Sequence, residues 1–99
     1  MSLPLHGKVA LVTGAGKNIG RAIALVLARD GATILVNGRA DKAAVDGVVG
    51  EIKAAGGNAV AAMGDVSDPA VAPRLAAEAE KQFGGVDILV SNAGLRRQT

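Results

Sequence analysis

The chain has 99 residues, of which 49% are hydrophobic, and its 11 basic and 9 acidic residues give a net charge of +2. A chain of this length forms one small domain or part of a larger one, and its lack of cysteine excludes disulfides and thiolate catalysis and fits a reducing cytoplasm. The charges form no basic tract, aromatic residues are almost absent, and no apolar run approaches the ~20 residues of a membrane span, so we expect neither nucleic acid nor membrane as a partner.

Apolar strand segments alternate with helical segments along the whole chain. The predicted strands cover residues 8–13, 32–37, 58–63 and 86–91. They are continuously apolar, which is typical of a parallel sheet covered on both faces. Strands joined through helices by right-handed crossovers predict an α/β fold: a doubly wound, Rossmann-like parallel sheet of βαβαβαβ form with strand order 3-2-1-4.

Three helices are predicted between these strands. The first runs from Asn18 to Asp30 and stops at Gly31, and its buried stripe is expected to be Ile19, Ile23, Val26 and Leu27. The second is capped by Asp41, and its buried face is expected to be Val45, Val48, Val49 and Ile52. Gly47 and Gly50 weaken it by about 1 kcal/mol each relative to Ala.

The third helix has an ambiguous start. Ser67 or Asp68 is the expected cap, and Pro73 then implies either an irregular first turn or a regular helix that begins near that proline. Its buried face is expected to carry Val71, Leu75, Ala79 and Phe83.

The segment from Thr13 to Gly20 lies between the first strand and the first helix. Glycines let a chain turn sharply and let a pyrophosphate approach the backbone, and the helix start offers unpaired N–H groups at the positive end of its dipole. The P-loop spacing is absent. Gly14 and Gly16 match the first glycines of the Gly-x-Gly-x-x-Gly dinucleotide fingerprint, but Gly20 comes one residue late.

This spacing resembles the motif Thr-Gly-x-x-x-Gly-x-Gly of the short-chain dehydrogenase/reductase family. Thr13, Gly14 and Gly20 fall on that motif, and Asn18, which tolerates a left-handed backbone, replaces its middle glycine. Asp65-Val66 after the third strand matches the place where the family binds the adenine amino group. Asn92-Ala93-Gly94 after the fourth strand matches the family's Asn-Asn-Ala-Gly turn near the cofactor ribose, with Ser91 in place of the first Asn.

Charge at the end of the second strand indicates which nicotinamide cofactor the resemblance implies. NAD-binding proteins place an acidic residue there to hold the ribose 2′-hydroxyl. Here Gly38 takes that place, Arg39 follows it, and Lys17 lies in the glycine-rich segment. An Arg fork and a Lys suit a 2′-phosphate, so NADP(H) is favoured and NAD(H) remains the alternative.

The candidate cofactor-binding residues are therefore Thr13, Gly14, Gly16, Lys17, Asn18, Ile19, Gly20, Arg39, Asp65, Val66, Asn92, Ala93 and Gly94. No catalytic residue and no metal ligand is assigned. The family uses a Tyr, a Lys four residues later and a Ser, all beyond the fourth strand, and this chain contains no Tyr.

The resemblance, which extends to 3-oxoacyl-[acyl-carrier-protein] reductases, implies an NADP(H)-dependent oxidoreductase that interconverts a small-molecule carbonyl and an alcohol by hydride transfer. Residues 1–99 would be the N-terminal, dinucleotide-binding part of a single Rossmann-like domain whose catalytic half lies outside this chain. A cytoplasmic homotetramer or dimer assembled through that half is expected. The alternative is a non-catalytic nucleotide-binding module or a truncated paralogue. The apolar fourth strand would then form an exposed edge, so the 99-residue chain is expected to dissolve poorly or to self-associate.

Overall fold

The computed structural model describes residues 3–14 and 18–91, and these contain seven alternating elements. In chain order they are β1 (Val9–Val12), α1 (Asn18–Arg29), β2 (Thr33–Val36), α2 (Lys42–Ala54), β3 (Asn58–Ala61), α3 (Val71–Phe83) and β4 (Ile88–Val90). The alternation predicted from the sequence is confirmed. The strands are two or three residues shorter than predicted, because the hydrogen-bonded ladder ends before the predicted strand segments do.

The four strands form one parallel sheet in the order β3-β2-β1-β4, which confirms the predicted topology. Register aligns the strand ends. Val12 lies opposite both Val36 and Val90, and Val36 lies opposite Ala61. The carboxyl ends of all four strands therefore reach the same edge of the sheet.

Helices cover both faces of the sheet, so the core has two layers. On β1, Ala10 and Val12 face the cluster formed with α1 and α2, whereas Val9 and Leu11 face the cluster formed with α3. A strand that is buried on both sides needs apolar residues at every position, and this explains its continuous apolar run.

The buried face of α1 differs from the predicted stripe. Ile23 and Leu27 pack against the core as predicted, but Ile19 is 68% exposed and Val26 is 45% exposed, and the fully buried residues are Gly20, Ala24 and Ala28. These three recur every four residues and thus share one face. Ala24 and Ala28 belong to the core cluster between α1 and the sheet, so small residues form the most deeply buried part of this helix.

Helix α2 begins as predicted. The Asp41 carboxylate accepts a hydrogen bond from the Ala44 N–H at 3.0 Å, which satisfies one of the unpaired N–H groups of the first turn. The residues buried on its inner face are Val45, Val48 and Ile52, while Val49 is half-buried.

The predicted cap of α3 was wrong. The helix begins at Val71 with Ala70 at the cap position and no side-chain cap. Asp68 Oδ1 accepts from the Ala70 N–H at 2.9 Å, so its carboxylate serves the turn before the helix. Pro73 lies in the first helical turn, where a missing N–H costs no helical hydrogen bond.

In the ranges 3–14 and 18–91, none of the helices is both long and apolar enough to cross a membrane.

Candidate functional site

The carboxyl edge of the sheet carries most of the described candidate residues. Thr13 follows β1 and is tied to β4, because its N–H and its Oγ1 both donate to the Val90 carbonyl oxygen, at 3.0 and 3.3 Å. Asn37 follows β2, and its N–H donates to the Val12 carbonyl oxygen at 3.0 Å. In open parallel sheets this edge is where ligands bind.

Gly14 begins the glycine-rich segment after β1 and lies in the described part of the chain. Gly14 has a φ of +61°, a left-handed conformation that suits glycine. The chain then enters α1 at Asn18, and Gly20 is buried against the sheet while Ile19 is exposed beside the bend. The first turn of α1 therefore offers N–H groups at the positive end of a 12-residue helix.

A groove of about 250 Å³ separates this bend from the end of β2. Its lining residues are Gly14, Gly38, Arg39, Ala40, Asp41, Ala44 and Val45. Arg39 is exposed, so its guanidinium can reach a ligand in the groove without first losing a buried partner. The structure thus brings Gly14 and Arg39 to one groove, as the sequence predicted.

Asn37 is a site residue that the sequence reasoning missed. Its side chain is buried, and its Nδ2 donates to the carbonyl oxygens of Ala62 at 2.7 Å and Gly64 at 3.0 Å. The Gly64 N–H in turn donates to the Gly38 carbonyl oxygen at 2.9 Å. A single amide at the end of an otherwise apolar strand was the signal, since buried amides need partners.

Asp65 lies near enough to Arg39 for the Arg39 charge to act on its carboxylate. Its Oδ1 accepts hydrogen bonds from Ser67 Oγ at 2.6 Å and from the Ser67 N–H at 2.9 Å. The hydrogen bond from the Ser67 hydroxyl lowers the pKa of Asp65 most, and the bond from the Ser67 N–H lowers it further. Partial burial raises the pKa in opposition, and the Arg39 charge adds a smaller lowering effect. Asp65 is therefore an ionised acceptor near the Arg39 cation.

Residues of α3 also hold the loop after β3 in place. Arg74 Nη2 donates to the Met63 carbonyl oxygen at 2.8 Å, and Val71 packs against Gly64. Val66 is half-buried and packs against the α3 side of the core. Arg74 was not among the sequence candidates, because nothing in its surrounding pattern distinguishes it from a solvated helix residue.

Five candidate residues lie outside the described part of the chain: Gly16, Lys17, Asn92, Ala93 and Gly94. The predicted pairing of Lys17 with Arg39 therefore stays a prediction.

Comparison with known proteins identifies relatives over nearly the whole chain. The sequence model described as short chain dehydrogenase matches residues 8–99. An uncharacterized oxidoreductase of Methylorubrum extorquens is 53% identical over 91 residues, which cover 92% of this chain and 37% of that protein. Versicolorin reductase 1 of Aspergillus parasiticus is 50% identical over 91 residues, 92% of this chain and 35% of that protein.

The fold has solved counterparts as well. A short chain dehydrogenase from Mycobacterium avium superimposes with a TM-score of 0.85 at 45% identity, over 94% of this chain and 36% of that one. The chain therefore spans little more than a third of the length of the proteins that it matches.

Proposed function

This chain belongs to the short chain dehydrogenase family, and on that premise we propose that its protein is an NADP(H)-dependent oxidoreductase that interconverts a carbonyl and an alcohol. Residues 1–99 supply the part that binds the adenosine and pyrophosphate of the cofactor. Family membership and relatives named as reductase and dehydrogenase support the reaction class. When bound, the nicotinamide supplies or accepts the hydride.

The groove between Gly14 and Arg39 is the observation that carries the proposal. Its glycine side, at the start of α1, suits a pyrophosphate, because a backbone without side chains allows close approach to helix N–H groups. Its other side carries the exposed Arg39, whose planar fork binds a phosphate through two parallel hydrogen bonds.

The absence of an acid at the end of β2 supports NADP(H) over NAD(H). Gly38 stands where a carboxylate would bind the ribose 2′-hydroxyl and repel a 2′-phosphate. Asp41 also lines the groove, but its Oδ1 is engaged by the Ala44 N–H. The carboxylate of Asp41 keeps its charge but caps the start of α2, and Arg39 is the basic residue that lines the groove.

Asp65 completes the adenosine site in this proposal. Its carboxylate stays ionised because Ser67 donates two hydrogen bonds to Oδ1. An ionised carboxylate can accept a hydrogen bond from the adenine amino group, and Val66 follows it at the edge of the sheet. Recognition of adenine and of the 2′-phosphate would thus come from two adjacent loops.

Charge reversal at Arg39 tests the cofactor assignment. Arg39→Asp should weaken NADPH binding by about 1–3 kcal/mol through loss of a charge-assisted contact, and it should affect NADH binding far less. Titration calorimetry of the protein with each cofactor measures this. Arg29→Ala, at the distant end of α1, is the control and should leave both affinities unchanged.

Two outcomes would contradict the proposal. An unchanged NADPH affinity in Arg39→Asp would remove the 2′-phosphate contact. Cofactor binding without turnover of any carbonyl or alcohol would instead support the non-catalytic nucleotide-binding module.

A further inference from the structure

The packing of α2 against the end of β2 requires a glycine at position 38. It is buried at the end of β2, and a Cβ added there would lie 2.3 Å from Cγ2 of Val45 in α2. The next atoms are much farther away, Val45 Cβ at 3.8 Å and Met63 Cε at 3.9 Å. Gly38 is not among the glycines with positive φ, so its backbone would accept other residues. One methyl group of Val45 excludes a side chain at position 38.

Val45 has little freedom to give way. It is 1% exposed and belongs to the core cluster between the sheet and the α1–α2 layer. Its side chain is β-branched, which restricts it to essentially one rotamer within a helix. Its N–H donates to the Asp41 carbonyl oxygen at 3.2 Å in the capped first turn of α2. A rotation or a shift of this side chain would disturb packed neighbours.

We infer that Val45 is a specificity-determining residue for the cofactor, acting through Gly38. By occupying the space that any side chain at position 38 needs, it keeps a carboxylate away from the end of β2. The charge presented to the cofactor's ribose there is then that of Arg39, at the next position. This inference rests on the proposed function, and it adds that α2 packing maintains the selectivity.

The steric part can be tested without any cofactor. Gly38→Ala adds one methyl group, Val45→Ala removes two, and the double variant carries both changes. We expect each single variant to lower the melting temperature and the double variant to melt higher than the sum of the two shifts predicts. Val48→Ala is the matched control, since Val48 is 2% exposed one turn farther along α2 and does not contact a Cβ at position 38. The melting-temperature shifts of Val48→Ala and Gly38→Ala should therefore be additive.

The selectivity part needs a second cycle, with Gly38→Asp in place of Gly38→Ala. We expect the Gly38→Asp/Val45→Ala protein to shift the ratio of NADPH to NADH affinity toward NADH by about tenfold or more, because a carboxylate repels the 2′-phosphate and can accept from the 2′-hydroxyl. Val48→Ala, which changes a buried residue of α2 outside the groove, is the control and should leave the ratio unchanged. If Gly38→Asp fails to fold, its rescue by Val45→Ala supports the inference, and lack of rescue contradicts it.

The outcomes separate the two proposals. Additive melting shifts for Gly38→Ala and Val45→Ala would overturn the steric inference, whatever the cofactor. Coupled shifts with an unaltered affinity ratio would overturn the role of Val45 in selectivity. A wild-type protein that prefers NADH would refute the proposed function while leaving the steric coupling intact.

Discussion

The side-chain amide of Asn37 donates to the carbonyl oxygen of Gly64 at 3.0 Å, and this bond joins the end of β2 to the loop after β3. The same Nδ2 donates to the Ala62 carbonyl oxygen at 2.7 Å. Arg39 follows Asn37 by two residues, and Asp65 follows Gly64 directly. The buried amide of Asn37, together with the bond from the Gly64 N–H to the Gly38 carbonyl oxygen, therefore holds the loop that carries Arg39 beside the loop that carries Asp65.

Asn37→Ala should destabilise the protein by about 1–3 kcal/mol, because it leaves two carbonyl oxygens near the sheet edge without their donor. Chemical denaturation measures this free energy of unfolding. Asn58→Ala is the matched control, since Asn58 is exposed at the start of β3 and its change should have a small effect. Equal losses of stability in the two variants would contradict a special role for the Asn37 amide.

Gly47→Ala and Gly50→Ala should each stabilise the protein by about 0.5–1 kcal/mol, since alanine loses less backbone entropy in a helix. Both glycines lie on the exposed side of α2, and an added Cβ at either position meets no atom within 4 Å. Thermal and denaturant unfolding measure the gain.

Gly57→Ala is the contrasting control for the Gly47→Ala and Gly50→Ala variants. An added Cβ there would lie 2.9 Å from Ile52 Cγ2 and 3.3 Å from the Ile52 carbonyl oxygen, so this variant should lose stability. A loss of stability in Gly47→Ala would mean that α2 propensity does not limit the stability of the fold.

The sequence predicted those features that follow from local chemistry or from sheet topology. The Asp41 cap was predictable because aspartate is a favoured N-cap residue before an apolar-periodic segment, and its carboxylate accepts from the Ala44 N–H. The strand order was predictable because helical crossovers restrict parallel sheets to few topologies.

Features that depend on distant contacts were not predictable. Periodicity assigned Ile19 and Val26 to the buried face of α1, yet both are exposed and the small residues Ala24 and Ala28 are buried against the sheet instead. The Asn37 bridge and the Gly38–Val45 contact each join residues from different elements. Such three-dimensional constraints leave little trace in one sequence.

The pKa of Asp65 should lie below the ordinary value of an aspartic carboxyl, because the Ser67 hydroxyl and N–H stabilise its ionised form. A depressed pKa contributes stability above the pKa of the unfolded chain, and that contribution is lost as pH falls through the folded pKa. Ser67→Ala should raise the pKa of Asp65 and diminish this acid-dependent loss. Carbon-detected NMR of the carboxyl resonance measures the midpoint.

Arg39→Ala provides the comparison for that titration. The Arg39 charge is the weakest of the influences that lower the pKa of Asp65, so this variant should raise the pKa less than Ser67→Ala does. The reverse order would mean that a direct ion pair between Arg39 and Asp65, rather than the Ser67 hydrogen bonds, holds the carboxylate ionised.

The 99-residue chain should self-associate through the surface around β4, and Leu89→Lys should reduce that association. In the part of the chain that the structure describes, β4 lies at an edge of the sheet, and Leu89 is 64% exposed at its centre. An apolar edge strand is a template for pairing with another chain, and a lysine on it disfavours such pairing. Leu89 also lines an apolar groove of about 380 Å³ on the α3 side, which includes Leu11 and Val86.

Sedimentation velocity measures the distribution of species, and Val26→Lys on α1 controls for the added charge, since Val26 is 45% exposed. A monodisperse monomer that melts cooperatively would contradict this prediction, and an equal effect of both lysine variants would place the association elsewhere.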